Sequence, residues 1–194
     1  MMKKAIFIIS GPSGSGKTTL IKHVLHTFPD EIGISISCTT RPQRIHELDG
    51  IDYHFIPQER FITLIKNDEF LEYTECYGNR YGTLKSSVNN LLQNKRICIM
   101  DVEYSGAGKI LSQQFAPTIT KIGILILPPS ISALKNRLLN RKSETITSLN
   151  RRVTESFDIG KIARYDHILI NDQINRSKNE ICQIVKGCFF SASS

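Results

Sequence analysis

The sequence predicts a doubly wound parallel α/β sheet, on three observations. Short, β-branched apolar runs recur with little polar alternation: "KAIFIIS", "GISIS", "RICIMD", "KIGILIL" and "HILIND". Strands covered on both faces read this way. Helical patterns lie between these runs, as the crossovers of a parallel sheet require. The first run leads directly into "GPSGSGKTT", and ligands of such folds gather where strands end at their carboxyl edge.

Taken in order, "KAIFIIS" is a buried strand and "KTTLIKHVLHTF" a helix, with Leu20, Val24 and Leu25 at helical spacing and Ile21 and Phe28 beside them. The loop between them has the spacing G-x-x-x-x-G-K-[ST], met by Gly11, Gly16, Lys17 and Thr18. Its glycines let backbone N–H groups curl toward phosphate oxygens, and the following helix aims its positive end at the same anion. Pro12, Ser13, Gly14 and Ser15 complete the cradle, and Thr19 follows in the first helical turn. Lys17 reaches the terminal phosphates of a nucleotide, and the Thr18 hydroxyl ligates Mg²⁺. Residues 34–86 break the rhythm: "YHFI" and "EFLEYTECY" read as strands of a small extra sheet, with "PQERFITLIKN" a helix between them. This is an insertion suited to a second substrate. The alternation resumes with the helix "LKSSVNNLLQNK" before "RICIMD", then "SALKNRLLNR" after "KIGILIL", and "NRSKNEICQIVKGCFF" closes the chain.

Composition narrows the function. The 194 residues are 40% apolar and 22% charged, which suits a globular domain with one sizeable core. The net charge of +7 comes from scattered cations without a long basic run, so a small anion is expected as partner and not nucleic acid. The five cysteines show no C-x-x-C pair and no metal spacing with the five histidines, which predicts reduced thiols and a cytoplasmic protein. "MMKKAIFII" imitates a signal peptide, but its run of about six apolar residues falls short of the ~7–15 needed. No stretch reaches the ~18 apolar residues of a membrane span.

The stretch "TTRPQRIHELDGIDYHFI" places Arg41 and Arg44 three apart in a proline-containing loop, ahead of Glu47, Gly50 and Tyr53. Two guanidinium forks and a phenol suit a phosphate clamp, although the same residues also suit a solvated surface loop. The pattern T-T-R-x-x-R-x-x-E-x-x-G-x-x-Y-x-F runs without a gap from Thr39 to Phe55, and through it the chain resembles guanylate kinase, the ATP-dependent GMP kinase family of the P-loop nucleoside monophosphate kinases. The similarity extends from about Lys4 to Val185.

The resemblance implies a single domain: a core of 1–33, 87–135 and 165–194, a mixed α/β GMP-binding insertion of 34–86, and a helical lid region of 136–164. It implies that Ser37, Arg41, Arg44, Tyr53 and Tyr81 hold the GMP phosphate, and that Glu72 reads guanine with Thr83. Guanine presents N1–H and N2–H₂ side by side, and one carboxylate accepts both. A lone glutamate in a strand is otherwise an ordinary edge charge. Arg137, Arg141 and Arg152 align with lid arginines that fold over the transferring phosphoryl group. Arg137 and Arg141 are i,i+4 on a helix that also reads as a solvated basic one. Asp101 ends "RICIMD", where P-loop enzymes place an acid near Mg²⁺. Asn171, at the end of the last strand, is expected near the adenine of ATP.

The chain departs from the family at "DVEYSG", where D-I-D-x-Q-G is usual: Glu103 replaces an aspartate and Ser105 a glutamine. Glu103 is expected to face guanine, or else to open the next helix as a favourable N-terminal charge. The lid is about one residue short, with Gly160 inside a presumed helix. The expected reaction is Mg²⁺-dependent transfer from ATP to GMP, and to dGMP, by a monomer or homodimer. The rival expectations are an inactive guanylate-kinase-like binding module, against which Lys17 and Thr18 argue, and a P-loop kinase for another phosphorylated small molecule, against which the Thr39–Phe55 pattern argues.

Overall fold

The computed structural model of the chain describes residues 4–76, 78–139 and 164–190, with the side chains of 139 and 188–190 excepted. Arg141, Arg152 and Gly160 lie outside the described residues. The core sheet is built from β1 (Lys4–Ser10), β2 (Ile32–Ile34), β7 (Ile97–Asp101), β8 (Ile119–Leu127) and β9 (His167–Ile170), in the order β2-β7-β1-β8-β9, and every pairing is parallel.

Alternation along β1 sorts its side chains to two cores. Phe7 and Ile9 pack with Leu20 and Val24 of α1 (Lys17–Thr27) and with Ile181 and Val185 of α6 (Ile174–Phe190). Ile6 and Ile8 pack on the other face with Val88 and Leu92 of α3 (Lys85–Asn94) and with Ala107 and Ile110 of α4 (Tyr104–Ser112). Each of these β1 side chains is at most 1% exposed, so each contributes roughly 1.5–3 kcal/mol of burial. The helix α5 (Ile131–Leu139) follows β8. Among the described residues no helix is long and apolar enough to cross a membrane.

A second sheet has the order β4-β3-β6-β5, from β3 (Cys38–Thr39), β4 (His54–Phe55), β5 (Phe70–Cys76) and β6 (Asn79–Leu84). Phe61 and Leu64 of α2 (Gln58–Lys66) pack beneath it against Cys38 and Phe70. "GISIS" differs from the single strand its pattern predicts. Only Ile32–Ile34 pairs with β7; the Ser35 N–H still donates to the Ile99 carbonyl at 2.9 Å, and the chain then crosses to the second sheet at Cys38. The crossing leaves Ser37 between the two sheets, buried at 8% exposure.

Candidate active site

The phosphate loop takes its shape from glycine. Gly11, Gly14 and Gly16 all have positive φ, a region that L side chains rarely adopt. At Gly16 (φ 99°) a Cβ would also lie 2.1 Å from Asn171 Nδ2. That amide is buried behind the loop and donates to the Ser15 carbonyl at 2.7 Å. Arg137 Nη2 in turn donates to the Asn171 carbonyl at 2.8 Å. Asn171 and Arg137 therefore brace the loop from its rear, joining the ends of β9 and α5 to it.

On the front, Lys17 Nζ donates to the Gly11 carbonyl at 2.7 Å and lies 3.9 Å from Asp101 Oδ1. Burial pushes the Asp101 carboxyl above its usual range; Lys17 opposes that shift and Glu103 adds to it. Thr18 and Thr19 are exposed at the start of α1.

From the loop a cleft of about 1140 Å³ runs between the sheets. Pro12, Ser13, Gly14, Lys17 and Thr18 of the loop line it together with Asp101 and Glu103 and with Ser37, Arg41, Arg44, Tyr53, Glu72 and Tyr81. Arg41 is held from two sides. Its Nη2 donates to both carboxylate oxygens of Glu47, at 2.8 and 2.9 Å, and its guanidinium carbon lies 5.6 Å from the Tyr53 ring centroid. Burial works against the Arg41 charge, but the hydrogen bond it donates to Glu47 and the Glu47 carboxylate charge outweigh it and push the guanidinium up. Glu47 also accepts the Arg44 backbone N–H at 3.0 Å. Glu47 is thus the organiser of both arginines. The motif contained it, but its role was missed; the only signal was a carboxylate three residues beyond Arg44.

The signature threonines have structural tasks. Thr39 Oγ1 donates to the Arg80 carbonyl at 3.0 Å, and Thr40 Oγ1 accepts the Arg80 N–H at 2.9 Å, which locks β3 to β6. That brings Tyr81 within 6.0 Å of Tyr53, ring centroid to centroid.

Glu72 lines the same cleft and is buried, 6% exposed. Thr83 Oγ1 donates to its Oε1 at 2.9 Å, and the Ser37 and Thr83 hydroxyls are 3.2 Å apart. Because Thr83 donates to Glu72, Ser37 donates to Thr83. Burial raises the Glu72 carboxyl to about 7, although the Thr83 hydrogen bond and Lys109 both pull it down. Gly106 makes this burial possible: a Cβ there would sit 2.4 Å from Glu72 Oε2. Glu103 stands at the position before α4 and also lines the cleft.

A sequence profile described as guanylate kinase matches residues 3–188. The guanylate kinase of Clostridium perfringens strain 13 is 40% identical over 177 residues, which cover 91% of this chain and 80% of that protein. The guanylate kinase of Nitrosospira multiformis is 36% identical over 182 residues, 93% of this chain and 84% of that one. In fold, the crystal structure of guanylate kinase from Anaplasma phagocytophilum superposes with a TM-score of 0.73 at 24% identity, covering 98% of this chain and 88% of its own. With the phosphate loop, Arg41, Arg44 and the buried Glu72 in one cleft, this chain belongs to the guanylate kinase family.

Proposed function

We propose that the chain transfers the γ-phosphoryl group of ATP to GMP, and to dGMP, giving ADP and the nucleoside diphosphate. The observation that carries this reading is the single cleft joining a phosphate loop to a second anion clamp and a buried carboxylate. A GMP phosphate oxygen attacks the γ-phosphorus as the bond to the β,γ-bridging oxygen breaks, and ADP leaves with that electron pair. The attacking oxygen is already anionic near neutral pH, so no general base is needed. Catalysis is then positioning and charge neutralisation.

Arg41, Arg44, Tyr53 and Tyr81 fix the acceptor phosphate, with Ser37 at the turn between the sheets. Glu72 accepts N1–H and N2–H₂ of guanine, and Thr83 orients that carboxylate. Lys17 stands at the donor end to meet the β- and γ-phosphates, and Arg141 and Arg152, which lie outside the described residues, would join it on the transferring group. Mg²⁺ fits this donor set: the exposed Thr18 hydroxyl and Asp101 are hard oxygen ligands beside the loop, and they would hold an ion that neutralises phosphate charge, Asp101 through water. The described thiols of Cys38, Cys98 and Cys182 are free, which suits the cytoplasm. Phosphorus NMR of an ATP and GMP mixture tests the stoichiometry. ADP and GDP are expected to rise in equal amounts; ADP rising with inorganic phosphate instead contradicts transfer to GMP.

Arg141→Ala and Arg152→Ala are each expected to lower kcat by about 10³-fold or more, with GMP affinity nearly kept, because arginines over a transferring phosphoryl group act on the transition state. A change in KM alone, in a steady-state titration of GMP, would remove them from that role.

Glu103→Ala is expected to weaken GMP more than IMP, which lacks the 2-amino group. Glu103 lines the cleft two residues beyond Asp101, at the position before α4. Equal losses for the two nucleotides, measured by titration calorimetry, would leave Glu103 with a structural task at the start of α4.

A further inference from the structure

β5 is the outer strand of the second sheet, so one row of its backbone groups has no neighbouring strand. Proteins usually cover such an edge. Here a helix of the core layer covers it. Residues 105, 109 and 113 recur every four positions along α4 and its C-cap, and so share one face. Lys109 Nζ donates to the Tyr73 carbonyl at 2.6 Å, and Gln113 Nε2 donates to the Leu71 carbonyl at 3.0 Å. The Ser105 and Thr74 hydroxyls share a hydrogen bond of 2.6 Å. Glu72 stands between the two anchored carbonyls, and its carboxylate lies against Gly106, one position beyond Ser105. The serine that replaces the usual glutamine is therefore one rung of this clasp.

The middle rung also carries charge. Lys109 Nζ lies 4.9 Å from the Tyr73 ring centroid, which holds it beside β5. Two charged side chains bear on Glu72: Lys109 favours its carboxylate form, and Glu103, at the start of α4, opposes it. On the β6 side the facing group is the neutral Thr83 hydroxyl, backed by Ser37.

We propose that Lys109 is a positioning residue for guanine specificity: it fixes the Glu72-bearing strand to the core helix and supplies the cation that keeps Glu72 in the carboxylate form guanine requires. The inference rests on the reading of Glu72 as the residue that recognises the base. Its test is kinetics of Lys109→Met and Lys109→Arg across pH 5.5–9 (about that span, to bracket the Glu72 carboxyl) with GMP and ATP each varied. Lys109→Met is expected to raise KM for GMP about tenfold at pH 7, to leave KM for ATP within about twofold, and to move the acid limb of kcat/KM for GMP up by about one pH unit. Lys109→Arg is expected to restore both. An acid limb that stays in place in Lys109→Met overturns the proposal, whatever happens to KM. Glu72→Gln, assayed alongside, separates the two readings. If it loses guanine preference while the Lys109→Met profile stays put, Lys109 alone is refuted. If Glu72→Gln keeps its preference, the reading of Glu72 fails and the role of Lys109 fails with it.

Discussion

Replacing Lys17 with methionine is expected to abolish GMP-dependent ADP release, lowering kcat by at least about 10³-fold, while the fold survives. The removal of one pre-positioned group that meets transition-state charge costs about 10²–10³ in rate, and Lys17 serves both bound phosphates and the transferring group. Among the described residues its structural ties are few. It donates to one carbonyl, of Gly11, and pairs at 3.9 Å with Asp101. Neither contact belongs to the apolar clusters on the two sheet faces. Unchanged far-ultraviolet circular dichroism together with lost turnover is the expected pair of results. A variant that keeps near-normal turnover would show that the loop does not hold the donor.

Glu72→Gln is expected to do two opposite things. It should cut the preference for GMP over AMP by about a hundredfold or more, because the amide turns an NH₂ toward the base donors, and sites built on buried polar pairing discriminate by factors of up to about 10⁴–10⁵. It should also stabilise the free protein at alkaline pH. Burial raises the Glu72 carboxyl from its ordinary 4.5 to about 7. The folded protein therefore holds this proton more tightly than the unfolded chain does. The stability it contributes is fully present below about pH 4.5 and is lost as pH rises through about 7, at most about 3 kcal/mol in all. A glutamine stays neutral throughout. The variant's Tm should therefore exceed that of the parent by several degrees at pH 8, with the gap closing toward pH 5. Thermal melts at the two pH values read this directly, and a gap independent of pH would mean that Glu72 is not buried as an acid. The same titration makes GMP binding by the parent weaken as pH falls below about 7, since a protonated carboxyl loses acceptor capacity toward two donors.

What the sequence revealed follows from where its signals are local. β1, β7 and β8 were legible because both faces of each are covered, so each reads as a near-continuous apolar run. The phosphate loop was legible because its glycines, lysine and threonine are contiguous. α4 was legible only as the helix that Glu103 would open: Gly106 and Gly108 depress helix propensity, and Gly106 is needed for the approach of Glu72. The break in "GISIS" was not legible, because so short a run reads alike as one strand and as a chain that changes sheets. The brace of Asn171 and Arg137 on Ser15 joins residues more than a hundred positions apart, and nothing in the local pattern marks it. The capture of Arg41 by Glu47 was equally hidden, since a carboxylate in a loop has no periodicity to reveal its partner.

In the proposed reaction one cleft joins ATP to a guanine nucleoside monophosphate. A coupled ADP-release assay with GMP, dGMP, AMP, UMP and CMP as acceptors tests it most directly. The expected result is rapid release with GMP, slower but clear release with dGMP, and release near background with the other three. Comparable rates with AMP or a pyrimidine nucleotide, or no acceptor-dependent release at all, would contradict it.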